Sequence, residues 1–136
     1  MKISTNSRYA LRFLARVAQK SGERVTAAAA AQAEGISEKM LERIAAKLTR
    51  AGFIRSVKGI RGGYILARPP QQITVTDVLL AMETPYLPQH CVDIPEENCK
   101  MFNCCKMLKM WRETDDAIRK VTDNYTVADM IGSDEF

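Results

Sequence analysis

The stretch Phe53-Ile54-Arg55-Ser56-Val57-Lys58-Gly59-Ile60-Arg61-Gly62-Gly63-Tyr64-Ile65-Leu66 decides the fold of this chain. Two β-prone runs, Phe53–Val57 and Tyr64–Leu66, flank a segment whose glycines supply the positive φ that a hairpin turn needs. Pro69-Pro70 then breaks the chain. The hairpin is therefore a short, self-contained unit, and its meaning depends on what precedes it.

Upstream lie three helical patterns. From Ser7 to Lys20, apolar Ala10, Leu11, Leu14, Val17 and Ala18 recur at helical spacing, with Arg8, Arg12 and Arg16 on another face, and Gly22 ends the run. Thr26 is the expected N-cap of a second helix, Ala27 to Glu34, stopped by Gly35. Ser37 caps a third, with Met40, Leu41, Ile44 and Leu48 as its buried stripe and Gly52 at its C-terminal stop. Helix, helix, turn, helix, hairpin is the order of a winged helix-turn-helix.

Downstream, Thr76 is expected to cap a helix through about Glu83. Residues 84–104 read as a loop rich in proline, acidic side chains and cysteine, and a long helix is expected from about Cys105 to Thr122. A last short helix would begin at a Thr126 cap. The long helix sets Leu108, Trp111, Asp115 and Ile118 on one face, with Met107, Met110 and Val121 beside it. It has little domain of its own to cover them, so a dimer interface is preferred over packing on the first helix. The expected fold is mainly α with a small β-hairpin. A winged helix-turn-helix fills residues 1–83, a cysteine-rich cluster-binding loop 84–105, and a dimerisation helix and tail 106–136.

Composition agrees. The chain has 136 residues, of which 46% are hydrophobic and 26% charged, as in a globular protein. There is neither an apolar run of membrane-spanning length nor a secretory signal, so a cytoplasmic protein is expected, with no membrane partner. Residues 1–70 hold 14 Lys and Arg against 4 Asp and Glu, a net +10, whereas residues 71–136 hold 6 against 12, a net −6. Such asymmetry suits a chain of which one part meets a polyanion and the other does not.

The DNA-reading surface follows from the third helix. If its stripe faces inward, Glu38, Lys39, Glu42 and Arg43 project from its first turns, the part of a recognition helix that reaches base edges. Arg43 suits guanine, Glu42 cytosine and Lys39 phosphate. Arg61, flanked by Gly59 and Gly62-Gly63, sits on a thin tip suited to a narrow minor groove, and Lys58 and Arg55 would add phosphate contacts.

Four cysteines, Cys91, Cys99, Cys104 and Cys105, fall within fifteen residues. In a reducing compartment such a cluster reads as metal-binding or redox-active rather than as a disulfide framework. Neither common zinc pattern is present, and His90 is the single histidine. Irregular spacing on an open loop suits an iron–sulfur cluster; zinc and metal-free thiol chemistry stay open. An enzyme is disfavoured, because one histidine and no paired carboxylates offer little catalytic machinery.

Three segments together carry a resemblance: Ser4-Thr5-Asn6-Ser7-Arg8-Tyr9-Ala10-Leu11, Gly35-Ile36-Ser37 through Leu41-Glu42 to Leu48, and Ser56 through Leu66. With the three loop cysteines before a long helix, they resemble the Rrf2 family of bacterial regulators over roughly residues 1–131. The resemblance implies a homodimeric, sequence-specific DNA-binding repressor, its long helices crossing between protomers. It implies operator control by an iron–sulfur cluster that senses iron, redox state or nitric oxide. Ser7, Tyr9 and Ser37 join the expected DNA contacts. Cys91, Cys99 and Cys105 become the expected ligands, Cys105 being preferred because it lies six residues before Trp111. Two family positions depart from the pattern. Leu108 stands where 2Fe–2S members often have histidine, and Arg8 and Arg12 stand where others take a ligand from the partner's first helix. The fourth ligand is thus open to Cys104, His90, a loop carboxylate or a small molecule. The wide first spacing resembles members holding 4Fe–4S, preferred here over 2Fe–2S. A cluster-free regulator of the same fold, acting through thiol oxidation or a protein partner, is the alternative.

Overall fold

A computed structural model of the chain describes residues 3–82, 89–92 and 94–131, and for 89 and 90 the backbone alone. The first helix, α1 (Thr5–Gln19), starts two residues before the apolar pattern does, because the Ser4 hydroxyl accepts the Ser7 N–H at 3.1 Å and caps it. Thr26 and Ser37 cap α2 (Ala27–Glu34) and α3 (Glu38–Arg50) as expected, accepting from the N–H of Ala29 and Met40. Gly35, between these helices, is left-handed at φ 65°, a conformation that would strain a side chain and that makes the sharp turn.

The hairpin pairs β1 (Ile54–Val57) antiparallel with β2 (Gly63–Leu66), in the register Ile54↔Leu66 to Val57↔Gly63. Beyond β2, Pro70–Gln72 makes a 3-10 turn and leads into α4 (Val75–Met82). There the expected cap is corrected by two residues. Thr74, not Thr76, starts the helix, by reciprocal bonds with Asp77: Thr74 N–H to Asp77 Oδ2 at 3.2 Å and Asp77 N–H to Thr74 Oγ1 at 3.1 Å. Thr76 is buried instead. After a one-turn α5 (Gln89–Val92) and a 3-10 turn at Glu96–Asn98 comes the long α6 (Lys106–Thr122), and a 3-10 turn, Val127–Met130, closes the described chain. Glu83, the expected end of α4, lies outside the described residues, as do residues 132–136 of the tail.

One core organises these elements. Phe13, Leu14 and Val17 of α1, Leu41, Ile44 and Leu48 of α3, Ile54 of β1, Ile73 and Val78 pack together, and Val127 joins them from the chain's end. That last segment is stitched in by backbone bonds, Val75 N–H to Tyr125 O at 2.8 Å and Val127 N–H to Ile73 O at 2.9 Å. Sequence reading assigned it to the tail, but it is a side of the winged-helix core. Thr126 caps it as expected, and its hydrogen bonds hold the Asp129 carboxyl below its ordinary range. A carboxyl so held favours the fold above the ordinary aspartate range and loses that benefit as pH falls through its lowered value.

Two arginines of the basic half serve this scaffold. The Glu34 side chain is 0% exposed, with Arg16 Nη2 at 2.8 Å and Arg12 Nε at 2.7 Å, the latter an ion pair rather than an aligned hydrogen bond. A third, Arg68, lies over the Phe53 ring and donates to the carbonyls of Ala51 and Gly52, satisfying the C-terminal end of α3. Among the described residues no helix is long and apolar enough to cross a membrane.

Candidate nucleic-acid interface and cysteine cavity

Burial of Leu41, Ile44, Ala45 and Leu48 turns the opposite side of α3 outward. Ser37, Glu38, Lys39, Glu42 and Arg43 are all exposed, on the side that sequence reading gave to DNA. Met40, expected in the stripe, is only partly buried and packs at the core's edge. Lys39, Arg43 and Lys47 line a cavity of about 320 Å³ with Asn6 and Met82. Lys47 is committed internally, its Nζ donating to the Met82 carbonyl at 3.1 Å, so the last residue described in α4 is tied to α3.

Among the expected contacts on α1, one needs correction. Ser7 is fully buried, its hydroxyl 3.2 Å from that of Ser4, so it shapes the helix start instead of facing a ligand. Tyr9 is half-buried against the core, with the Arg8 guanidinium 5.5 Å from its ring centroid.

The wing stands beside α3 for a reason that its glycines disclose. Val25, in the α1–α2 connection, pairs with Tyr64 like a third strand, with N–H to O distances of 3.0 and 2.8 Å. A Cβ on Gly63 would lie 2.8 Å from the Val25 carbonyl oxygen, so only glycine permits that approach. A Cβ on Gly62 would meet the Val57 and Gly59 carbonyls at 2.9 and 3.0 Å. Tyr64 meets Phe13 edge-on at 5.8 Å, and burial together with the Glu42 carboxylate raises its phenol above the ordinary value. The tip residues Lys58, Ile60 and Arg61 are exposed, and Arg24 Nη1 donates to the Arg61 carbonyl at 3.0 Å. Neither Arg24 nor Lys47 was singled out from the sequence.

The cysteines converge elsewhere. Cys91 on α5, Cys99 after the 3-10 turn, and Cys105 at the start of α6 line one cavity of about 480 Å³. Ile94, Leu108 and Trp111 give it an apolar wall, and Lys100 is the cation at its edge. Cys104 is exposed and turned to Met101, with its Sγ 3.5 Å from the Met101 carbonyl. The His90 side chain lies outside the described residues. Three soft donors around one largely apolar cavity are a donor set that fits an iron–sulfur cluster in chemistry. Among the described residues, no three His, Cys, Asp or Glu side chains are gathered tightly enough for a single metal ion.

Two polar contacts link this region to α3. Thr122 donates to the Ile118 carbonyl at 3.0 Å, which leaves Thr76 to donate to Thr122, the hydroxyls being 2.5 Å apart. The end of α6 is thereby fixed to the first turn of α4, whose other end is held by Lys47. Along α6, Met107, Met110, Trp111, Ile118 and Val121 fall within an arc of about 100° at helical pitch. Of these, Met107, Met110 and Val121 are exposed, beside the buried Leu108 and Asp115.

Comparison with known proteins gives this geometry a setting. A family model described as "Rrf2: Iron-dependent Transcriptional regulator" matches residues 3–133. The HTH-type transcriptional regulator CymR of Bacillus subtilis is 34% identical over 131 residues, 96% of this chain and 89% of that protein. Its solved structure, described as that of a global cysteine regulator, covers 96% of this chain and 95% of its own, with a TM-score of 0.74. The protein rrf2 of Nitratidesulfovibrio vulgaris is 37% identical over 134 residues, 96% of this chain and 87% of that protein. The structure of T. potens IscR, 33% identical, superposes with a TM-score of 0.75 over 96% of this chain and 85% of its own.

Proposed function

The chain belongs to the Rrf2 family of DNA-binding transcriptional regulators, and on that premise we propose that it binds a specific operator as a homodimer under control of its cysteine cavity. The supporting observation is the joint exposure of Ser37, Glu38, Lys39, Glu42 and Arg43 on α3 and of Lys58 and Arg61 at the tip of the wing that follows it. On this reading Arg43 and Glu42 meet base edges in the major groove, and Arg61 enters the adjacent minor groove. Lys39 and Lys58 neutralise phosphates, while Ser37 and Glu38 set the helix at the groove. Tyr9, half-buried on α1, is kept as a further contact. Ser7 acts only through the start of α1. The exposed apolar arc of α6 is the surface a second copy would cover, setting two recognition helices at two half-sites.

Cys91, Cys99 and Cys105 would hold an iron–sulfur cluster, 4Fe–4S in preference to 2Fe–2S, with the fourth ligand supplied from outside these three. Such a cluster, when bound, supplies sensitivity to iron, oxidants or nitric oxide. Cys105 occupies the N-terminal end of α6, where the helix dipole favours an anionic ligand set. Any change in how the three thiols are engaged therefore acts on α6. Thr122 and Thr76 carry that displacement to α4, and Lys47 carries it to α3.

The experiment has two parts. Anaerobically purified protein is analysed for iron, sulfide and visible absorbance, and is used to enrich a duplex from a randomised library. The expected result is a coloured protein that enriches one sequence, with a tenfold or greater loss of affinity in Arg43→Ala. Failure to enrich any duplex overturns the DNA reading. A colourless, iron-free protein that still binds its duplex overturns the cluster and leaves control by thiol oxidation or a protein partner.

A further inference from the structure

Arg24 contributes to the wing without belonging to it. It precedes Val25, whose two backbone bonds to Tyr64 lay the α1–α2 connection along β2. From that fixed base its guanidinium spans 37 positions of sequence to the carbonyl of Arg61 at the tip. Gly22, Arg24, Thr26, Ile60 and Arg61 line the cleft that this contact bridges. The tip itself turns on a short backbone bond, Gly62 N–H to Gly59 O at 2.9 Å, with Gly59 at φ 121°. A turn of that kind, built from glycines, has many backbone states open to it. An anchor on the Arg61 carbonyl restricts those states at the residue whose side chain must enter the groove.

We propose that Arg24 is a positioning residue for DNA recognition: by holding the Arg61 carbonyl it presets the wing tip, and it acts on the duplex through Arg61. This rests on the DNA reading above and goes beyond it, because it makes the α1–α2 connection part of the reading head. The competing role is a direct phosphate contact by Arg24 itself, which its exposure would allow.

A double-mutant cycle separates these roles, with the duplex that the wild-type protein enriches from a randomised library as the probe. Affinity and its salt dependence are measured for wild type, Arg24→Ala, Arg61→Ala and the double variant. Positioning predicts about a tenfold loss for Arg61→Ala, a smaller loss of about threefold to fivefold for Arg24→Ala, and a double variant within about twofold of Arg61→Ala alone. It also predicts faster amide exchange at Gly62 in Arg24→Ala, with unchanged thermal stability. A double variant whose loss is the product of the single losses, with a salt slope reduced by about one for each arginine, overturns positioning in favour of a phosphate contact. Unchanged affinity in Arg24→Ala overturns it outright. A wild-type protein that enriches no duplex, or an Arg61→Ala variant that binds as wild type does, instead indicts the underlying DNA reading.

Discussion

In the basic half of the chain, much of the charge is already used within the fold. Among the described residues of the acidic half, the four cysteines form no disulfide. Arg12 and Arg16 are paired with Glu34, Arg68 closes the end of α3, Lys47 holds Met82 and Arg24 holds the wing tip. Beyond α4, three thiols share a cavity and an apolar helix face is exposed. The contrast teaches that the net +10 of residues 1–70 overstates the surface offered to DNA. On the reading proposed above, a ligand and a second copy complete the second half.

Removing both arginines tests the first side of that contrast hardest. Arg12→Ala with Arg16→Ala leaves the buried Glu34 carboxylate uncompensated, and a loss of about 3 kcal/mol is expected in urea unfolding. Were the pair only surface charge, the loss would stay below about 1 kcal/mol. Next comes Gly63→Ala, which drives a Cβ against the Val25 backbone. About 2 kcal/mol of destabilisation is expected, together with a tenfold or greater loss of operator affinity as the wing leaves its seat. Retained affinity in that variant would show that the wing's position is immaterial. Arg61→Ala should leave stability unchanged, weaken binding about tenfold, and shallow the log K against log salt slope by about one unit. An unchanged slope would remove the wing from the interface. The smallest effect is expected of Thr76→Val, which deletes the buried donor to Thr122 at about 1 kcal/mol. Its diagnostic consequence is regulatory, since the operator affinities of iron-loaded and iron-stripped protein should draw together.

What was legible in the sequence divides along the same line. Caps at Thr26, Ser37 and Thr126, the turn at Gly35 and the hairpin all rest on signals within a few residues of one another, and each was readable. Thr76 misled because Thr74 and Thr76 are both good caps by type. Yet Asp77, three residues after Thr74, supplies the local mark of a reciprocal cap that Thr76, with Leu79 in that place, lacks, and Thr76 instead meets the distant Thr122. The burial of Ser7, the Glu34 pairs, the Val25–Tyr64 bridge and the return of Val127 to the core likewise depend on contacts between segments far apart in the chain. The candidate site shows the same split. Exposed positions on α3 follow from helical period, whereas the cavity that Cys91, Cys99 and Cys105 line, with Cys104 left exposed, is formed by segments that only the fold brings together. Arg24 and Lys47 could not be told from other surface cations, because an internal carbonyl partner leaves no mark in a local sequence pattern.

On the proposed reading, control by the cysteine cavity joins the two halves, and one measurement tests it directly. Operator affinity is determined under anaerobic conditions for wild type before and after iron is removed with a chelator, with Cys99→Ser alongside. The account predicts at least a tenfold change in the wild-type dissociation constant, concurrent with loss of visible absorbance, and no response from Cys99→Ser. Identical operator binding by all three would contradict it.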